Sequence, residues 1–448
     1  CSSLMEISWI PTKVTYLGVG CFENCKSLLS LKGLESTLVN EIPDDCFYGC
    51  TQLKTCGYLP ESLTRIGAHV FKGCTTFKNI DELPQSVEEL GVECFCGCTG
   101  ITAILYPPEA LKTIGKRCFA DCTAMESLYL SENVKTISDE AFAGCTALTN
   151  IMSDAATVPT TSASAFNGET PIVYVPQALL QDYLEHSVWG AFTVKKYGVY
   201  KFSLENIGAK TTILGTTSNL VSDSIWTITY GIGDKQQRFI PSIDSLPEFT
   251  YAEAVAEATI TIKGYVRRLS AASAEAYPFL ATAQQSPFNY LTEVEVKDSP
   301  LEMIGDYAFA QCQHLWKIDC GFEEEREYCL GERAFWGCQS LADTDWLKAG
   351  LGELVKEVQT TYEQEPDGTI VPIETTILYP AFGNRCFWQS GISVLEYAAD
   401  AVTSLPPYCF AETDVGTLDG IGGVLLSELG DHCFYKCAGL DDISALAN

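Results

Sequence analysis

Apolar positions recur along the chain in a fixed frame: an aliphatic residue, a Phe five places on, a Cys three after that, then apolar residues three and six beyond the Cys. From 114 to 128 the frame is filled by Ile114, Phe119, Cys122, Met125 and Leu128, with glycine, small and charged residues between. Anchored on the Phe, the copies in the first third are Phe22, Phe47, Phe71, Phe95, Phe119 and Phe142, at intervals (by subtraction) of 25, 24, 24, 24 and 23 residues. A period of this length marks a solenoid, in which one small unit recurs and buries its apolar face only against its neighbours. Leu128-Tyr129-Leu130 alternates as a short half-buried strand does. Pro11, Pro60, Pro84 and Pro107 fall between such strands and the next aliphatic residue, where a turn must redirect the chain. Stacked units of this kind place parallel strands about 4.8 Å apart.

The first array fills 1–196 with its cap. Cys1, Cys25, Cys50, Cys74, Cys98, Cys122 and Cys145 form one series, so residue 1 falls mid-repeat and the chain is expected to be trimmed from something longer. The alternative, a lipid-anchored N-terminal Cys-Ser-Ser, does not explain that register. Phe166 keeps the period but Glu169 stands at the Cys position; a strand at 172–176, a helical stretch at 177–187 and Trp189 to Phe192 then predict a cap, with Tyr183, Leu184, Trp189 and Phe192 over the last coil. The segment 197–269 loses the repeat and alternates with many Thr, which predicts an antiparallel β-sandwich. The repeat resumes over 270–448, where Phe288 occupies a Cys position and full copies centre on Phe309, Phe335 and Phe434. Degenerate copies centre on Phe387, with Ser390 for Cys, and on Phe410, with Thr413 for Cys. Between Phe335 and Phe387 lie 52 residues by subtraction, so a disguised coil or an insertion is expected there, with 360–368 as its exposed loop.

These residues carry a resemblance. The string Ile-Gly-x-x-x-Phe-x-x-Cys-x-x-Leu-x-x-Ile resembles the BspA-like leucine-rich repeat of bacterial surface and secreted proteins, and the cap from Ile172 to Trp189 looks like that family's array ending. The middle segment is similar to PKD-type, immunoglobulin-like domains through Trp226, Gly233-Asp234 and Phe249-Thr250-Tyr251; its Tyr230-Gly231-Ile232-Gly233-Asp234 departs from the Trp-Gly-Asp-Gly turn of that type. The fold class is thus a leucine-rich repeat solenoid plus a small all-β immunoglobulin-like sandwich. The resemblance implies extracellular or bacterial cell-surface display and binding to proteins, extracellular matrix or glycans, with no reaction defined.

Charge narrows the partners. With 28 basic and 58 acidic residues the formal charge is −30, which repels phosphate backbones and anionic headgroups, so nucleic acid is excluded. No apolar run is long enough for direct membrane insertion.

The 21 cysteines invite a disulfide or metal reading. Most occupy two repeat positions, the series above and the place before Phe (Cys21, Cys46, Cys94, Cys118), where other copies carry Val70, Ala141, Ala308 and Ala334. They read as small core hydrophobes and free buried thiols. Cys94, Cys96 and Cys98 lack the paired spacing of a structural zinc site, so no metal and no cofactor is expected. His69 and His432 share one surface position, two before Phe, and no copy supplies a nucleophile–base pair; no catalytic residue and no enzyme activity is expected. Carboxylate runs such as 323–327 and Asp441-Asp442 read as solvated faces. The sharper candidates are four aromatics read as an exposed binding surface in the second array, Trp316, Trp336, Trp346 and Trp388, against a bland reading of burial at a module junction. The expected function is binding or adhesion through the solenoid surface. The alternative is a glycan-binding accessory module of a larger carbohydrate-processing surface protein.

Overall fold

A computed structural model describes the chain apart from residues 2, 79–82, 105, 208–211, 214–220, 223–226, 233–234, 240–248, 251–253, 270–289, 300, 321–328, 343–344, 349–355, 365–369, 379–380, 395–401, 419–425 and 443–448. Phe288, Trp226, Tyr251, Gly233-Asp234 and 323–327 therefore lie outside the described residues. Two compact units result, Cys1–Lys196 and Tyr197–Asn448.

In the first unit the frame becomes a stack of coils. The aliphatic position forms one parallel sheet with Ile42 opposite Ile66, Ile66 opposite Leu90, Leu90 opposite Ile114 and Ile114 opposite Ile137. The position six after Cys forms a second parallel sheet, in which Ile104, Leu128, Ile151, Val173 and Val194 are successive partners. Between the sheets the Phe side chains stack coil upon coil. From Phe22 to Phe166 successive ring centroids lie 5.1 to 5.5 Å apart with planes within 11° of parallel. The ring spacing slightly exceeds the spacing of hydrogen-bonded strands, so the core repeats at the backbone's own period. This is why one pattern can be copied without limit.

The coils approach closely at the position four before Phe, which is Gly67, Gly91 and Gly115 in successive coils and Ser138 and Ser162 in the next two, where the N–H bond to the coil behind lengthens from 2.9 Å at Gly115 to 3.1 Å. A Cβ on Gly115 would stand 2.6 Å from the Leu90 carbonyl oxygen of the preceding coil; only a residue without Cβ permits that approach.

The cysteine series is buried from Cys25 to Cys145, whereas Cys1, and Cys21 at the position before Phe, are exposed on the first coil, which has no complete coil before it to cover them. The buried thiols are not merely apolar filling. From Cys50 to Cys145 each thiol lies against the carbonyl of the Phe one coil back, as in Cys74 Sγ to Phe47 O at 3.2 Å, Cys98 to Phe71 at 3.1 Å and Cys122 to Phe95 at 3.2 Å, and Cys338 does the same to Phe309 at 3.1 Å in the second unit. The weak S–H donor adds a second hydrogen bond to a carbonyl that already accepts the N–H of its own coil's Cys, as Phe71 O does from Cys74 N–H at 3.0 Å. Where Thr413 replaces Cys, its hydroxyl turns to the carbonyl of its own coil's Phe410 at 2.7 Å. The buried Ser390 hydroxyl has no partner among the described residues.

The cap forms as a 3-10 turn Gln177–Leu179 and a helix Leu180–Glu185. Tyr183 and Trp189 are fully buried, and Phe192 meets Phe166 edge-on at 5.4 Å. Leu184, expected over the last coil, is instead 45% exposed. It follows Tyr183 on a single-turn helix, and only one face of so short a helix meets the coil.

In the second unit the strand Gly198–Ile207 pairs antiparallel with Val255–Gly264 on one side and Leu291–Lys297 on the other. The strand Thr227–Ile232 joins the far edge of Val255–Gly264, antiparallel, and carries Lys235–Phe239 as a hairpin partner. Leu291–Lys297 also pairs parallel with Lys317–Cys320, setting Val294 opposite Ile318, the 24-residue step (318 minus 294) of the repeat. One six-stranded mixed sheet thus runs from the Thr-rich segment into the second array, across position 269. The long interval after Phe335 is an insertion and not a disguised coil, because Phe335 stacks directly on Phe387 at 5.3 Å and 8°. The insertion includes the hairpin Lys356–Gln364 and Ile370–Leu378, so 360–364, expected as loop, is strand.

Candidate binding surface

Each coil except that of Phe166 passes twice through left-handed backbone, at positions two before and two after its Phe. The position before is rarely glycine. It is Asp45, His69, Glu93, Arg117 and Glu140 in the first unit, with φ between 52° and 58°, and Tyr307, Arg333, Arg385, Tyr408 and His432 in the second, with φ between 51° and 58°. Glycine would be the cheapest choice there, since a residue with Cβ costs on the order of 1–2 kcal/mol in this conformation. The backbone is held by hydrogen bonds to the following coil, such as Asp45 N–H to Ala68 O at 2.9 Å and Tyr408 N–H to Asp431 O at 3.0 Å. Side chains retained against this cost form a ribbon along each array, and strain of this kind gathers where side chains have a role.

The first ribbon is an ion ladder. His69 Nδ1 lies 3.2 Å from Asp45 and its Nε2 3.5 Å from Glu93. Glu93 also receives Lys72 and, at 3.0 Å, Arg117, whose other edge meets Glu140 at 2.6 Å. Lys72, by its hydrogen bond and its charge, and then the hydrogen bond from Arg117 hold the Glu93 carboxyl below the usual carboxylate range. Acid and base alternate from coil to coil: Arg117 is paired with a carboxylate on each side, and the His69 ring stands between Asp45 and Glu93.

The second ribbon is aromatic and cationic. The Trp336 and Trp388 rings, one place after their Phe, stack at 5.7 Å and 11°. The Arg333 guanidinium lies over Tyr307 at 5.4 Å and Trp336 at 5.7 Å, and that of Arg385 over Tyr408 at 5.1 Å and Trp388 at 5.8 Å. Tyr408 stacks on His432 at 4.9 Å, and Tyr435 closes on His432 edge-on at 5.4 Å. A polar chain runs beside them: Trp336 Nε1–H donates to Gln389 Oε1 at 3.1 Å, Gln389 Nε2–H to Glu412 at 2.9 Å, and Lys436 Nζ–H to Glu412 at 3.3 Å. The amide of Gln389 first, and then Lys436, hold the Glu412 carboxyl below its ordinary range.

Of the four tryptophans read from the sequence, the structure brings Trp336 and Trp388 together, half-buried. Trp316 is 50% exposed and lies off the ribbon, next to the strand Lys317–Cys320. Trp346, expected at the surface, is buried against Phe335 at 5.2 Å. It belongs to the inserted segment, whose 3-10 turn Asp345–Lys348 folds it into the core. Arg333, Arg385, Tyr408 and Tyr435 escaped the sequence reading. Their signal was position: Arg333, Arg385 and Tyr408 share the column of His432, and Tyr435 shares that of Trp336 and Trp388.

Nothing convergent for chemistry appears elsewhere among the described residues: no group of three His, Cys, Asp or Glu could hold a metal ion, and the wall of the cavity around Leu90, Ile114 and Phe119 is apolar. No helix of the described residues is long and apolar enough to cross a membrane.

The family model described as BspA type leucine-rich repeat region matches residues 1–104, 40–173, 285–351 and 373–448, in six copies. The chain belongs to this family of repeat proteins, and no catalytic family is shown. Solved structures similar to it include a leucine-rich repeat protein of T. pallidum, 23% identical over 41% of this chain and 84% of that one, TM-score 0.31. Another is a leucine-rich repeat protein from Bacteroides ovatus, 14% identical over 97% and 85%, TM-score 0.28. A third is a leucine-rich cell surface protein from Faecalibacterium prausnitzii, 18% identical over 99% and 90%, TM-score 0.29. No curated protein is similar to the chain beyond chance.

Proposed function

We propose that the protein is a non-catalytic binding or adhesion protein at a bacterial cell surface, engaging a protein or extracellular-matrix partner through the ribbon of its second unit. The observation that carries this reading is the contrast between ribbons built on one backbone. In the first the side chains satisfy one another; in the second, aromatic rings and guanidinium groups line the corresponding positions, and Trp, Tyr and Arg are the residues that dominate protein contacts. Membership of a repeat family supports it, as solenoid surfaces commonly serve as extended binding faces, and a similar protein of Faecalibacterium prausnitzii is a cell surface protein. A protein partner fits better than a glycan, because the Trp336 and Trp388 faces that a sugar ring would cover are turned to each other and to arginines. We also read 197–269 as an immunoglobulin-like insert of PKD type, supported by the antiparallel pairing of its strands.

The test is binding of the whole chain to a panel of immobilised extracellular-matrix proteins, alongside a glycan array. Trp336→Ala with Trp388→Ala should weaken capture by a matrix protein at least tenfold, as loss of two aromatic anchors does. Unchanged capture, or binding on the glycan array alone, would refute the reading.

A further inference from the structure

The second ribbon contains a like-charge doublet. Arg333 and Arg385 occupy the same column on adjacent coils, whose Phe rings are 5.3 Å apart. Like charges opposite one another on neighbouring strands are destabilising. The first ribbon avoids this: its column runs Asp45, His69, Glu93, Arg117, Glu140, with a carboxylate on each side of every base. In the second, Arg333 has partial partners, a hydrogen bond to the Tyr307 hydroxyl and Glu332 at 3.7 Å. Arg385 makes no ion pair with any described residue. Its guanidinium lies over the rings of Trp388 and Tyr408, at 5.8 and 5.1 Å from their centroids, and its N–H fork has no protein acceptor among the described residues.

We propose that Arg385, with Arg333 beside it, is a binding site for a carboxylate side chain, so that the partner presents an Asp or Glu to this point of the ribbon. The inference rests on the reading of this ribbon as the binding face. A planar guanidinium fork matches a carboxylate with two parallel hydrogen bonds, and an anion between the two arginines removes the repulsion of the doublet. The surroundings select a discrete carboxylate over a polyanion. Glu332 lies 3.7 Å from Arg333, and the chain as a whole carries −30. A sulfated glycan or nucleic acid needs a run of cations to displace its counterions, and here the run is two residues long. Charges farther off than the Debye length, about 8 Å at physiological ionic strength, are screened, so an acidic residue on a mixed polar partner meets chiefly the doublet.

The experiment selects short random displayed peptides on the intact chain and measures the affinity of the winners, with heparin as the polyanion probe. Peptides enriched on the native chain should carry Asp or Glu. Their affinity should fall about tenfold on Arg385→Gln, the loss of hydrogen bonds to a charged group, and less on Arg333→Gln. Arg385→Lys should recover only part, since it restores charge without the fork. Unchanged melting temperatures of the variants establish that folding is intact. Winners without acidic residues, acidic winners that bind Arg385→Gln undiminished, an absence of winners, or Arg385-dependent heparin binding would each overturn the proposal. If Trp336→Ala with Trp388→Ala abolishes matrix-protein capture while Arg385→Gln keeps it, the binding face stands and the carboxylate site falls. If both variants keep capture, the ribbon is not the binding face.

Discussion

The two ribbons are the same backbone used in two ways. Each is the column two before Phe, each is held left-handed, and each is tied to the next coil by hydrogen bonds from the N–H groups around the Phe. In the first unit the column closes on itself: Asp45, His69, Glu93, Arg117 and Glu140 answer one another. In the second it stays open, with Arg385 stacked between aromatic rings and no carboxylate in reach among the described residues. The scaffold therefore does not dictate what its surface does. A repeat places five or more side chains in line, and the choice of those side chains decides whether the line is a self-satisfied brace or a face awaiting a partner.

That comparison can be broken from the core outward. If both arrays are one scaffold, Phe119→Ala and Phe387→Ala should destabilise their units alike, by about 3–5 kcal/mol each in urea unfolding, since both rings are buried in a continuous stack. A large difference between them would mean that the two cores are not equivalent. Gly115→Ala and Gly383→Ala should each cost on the order of 1–3 kcal/mol, because a Cβ would stand 2.6 Å from Leu90 O in one case and 2.3 Å from Gly331 C in the other. Tolerance at either site would show that coil spacing there is loose.

Cys98→Ala should cost about 1 kcal/mol through loss of the bond to the Phe71 carbonyl. In the native chain Cys98 should also resist alkylation at mildly alkaline pH, since burial pushes its thiol well up. The exposed Cys21, held down by its hydrogen bond with Cys46, should react. Equal labelling of the two by mass spectrometry would contradict the burial of the series.

The smallest effect is electrostatic and separates the ribbons. Glu93 has a depressed folded pKa, so its contribution is present above the unfolded carboxylate value of about 4.3 and is lost as pH falls through the folded value. Below about pH 4 the first unit of the native chain should lose more stability than that of Glu93→Gln. Side chains this close to solvent limit the difference to about 1 kcal/mol or less. Arg385→Gln should leave stability nearly untouched while changing binding. A thermal melt in which Arg385→Gln is the more damaging change would reverse the roles assigned to the two ribbons.

Much of the candidate face was readable, though unevenly. Trp336 and Trp388 stood at equivalent positions of the frame, and the structure stacks them. Trp346 stood in no repeat, so its exposure could be guessed only from composition, and an inserted turn buries it. Arg333 and Arg385 looked like ordinary surface charges, because acid and base both occupy their column in the first array and sequence does not show which charge has a partner.

The sequence alone determined the solenoid, its period, the Phe stack, the buried cysteine series and the cap, because each follows from apolar spacing repeated at one interval, and repetition makes a local pattern global. The tertiary structure alone decided that Phe335 and Phe387 are neighbours despite 52 intervening residues, by subtraction, and that the Thr-rich segment shares a sheet with the second array. It also decided that Arg385 meets aromatic rings and no carboxylate among the described residues. The physical reason is common to all three. Spacing along a chain fixes which residues face inward, but adjacency across an insertion, strand pairing at a sheet edge and the pairing of charges depend on which segments meet in space, and no local period encodes that.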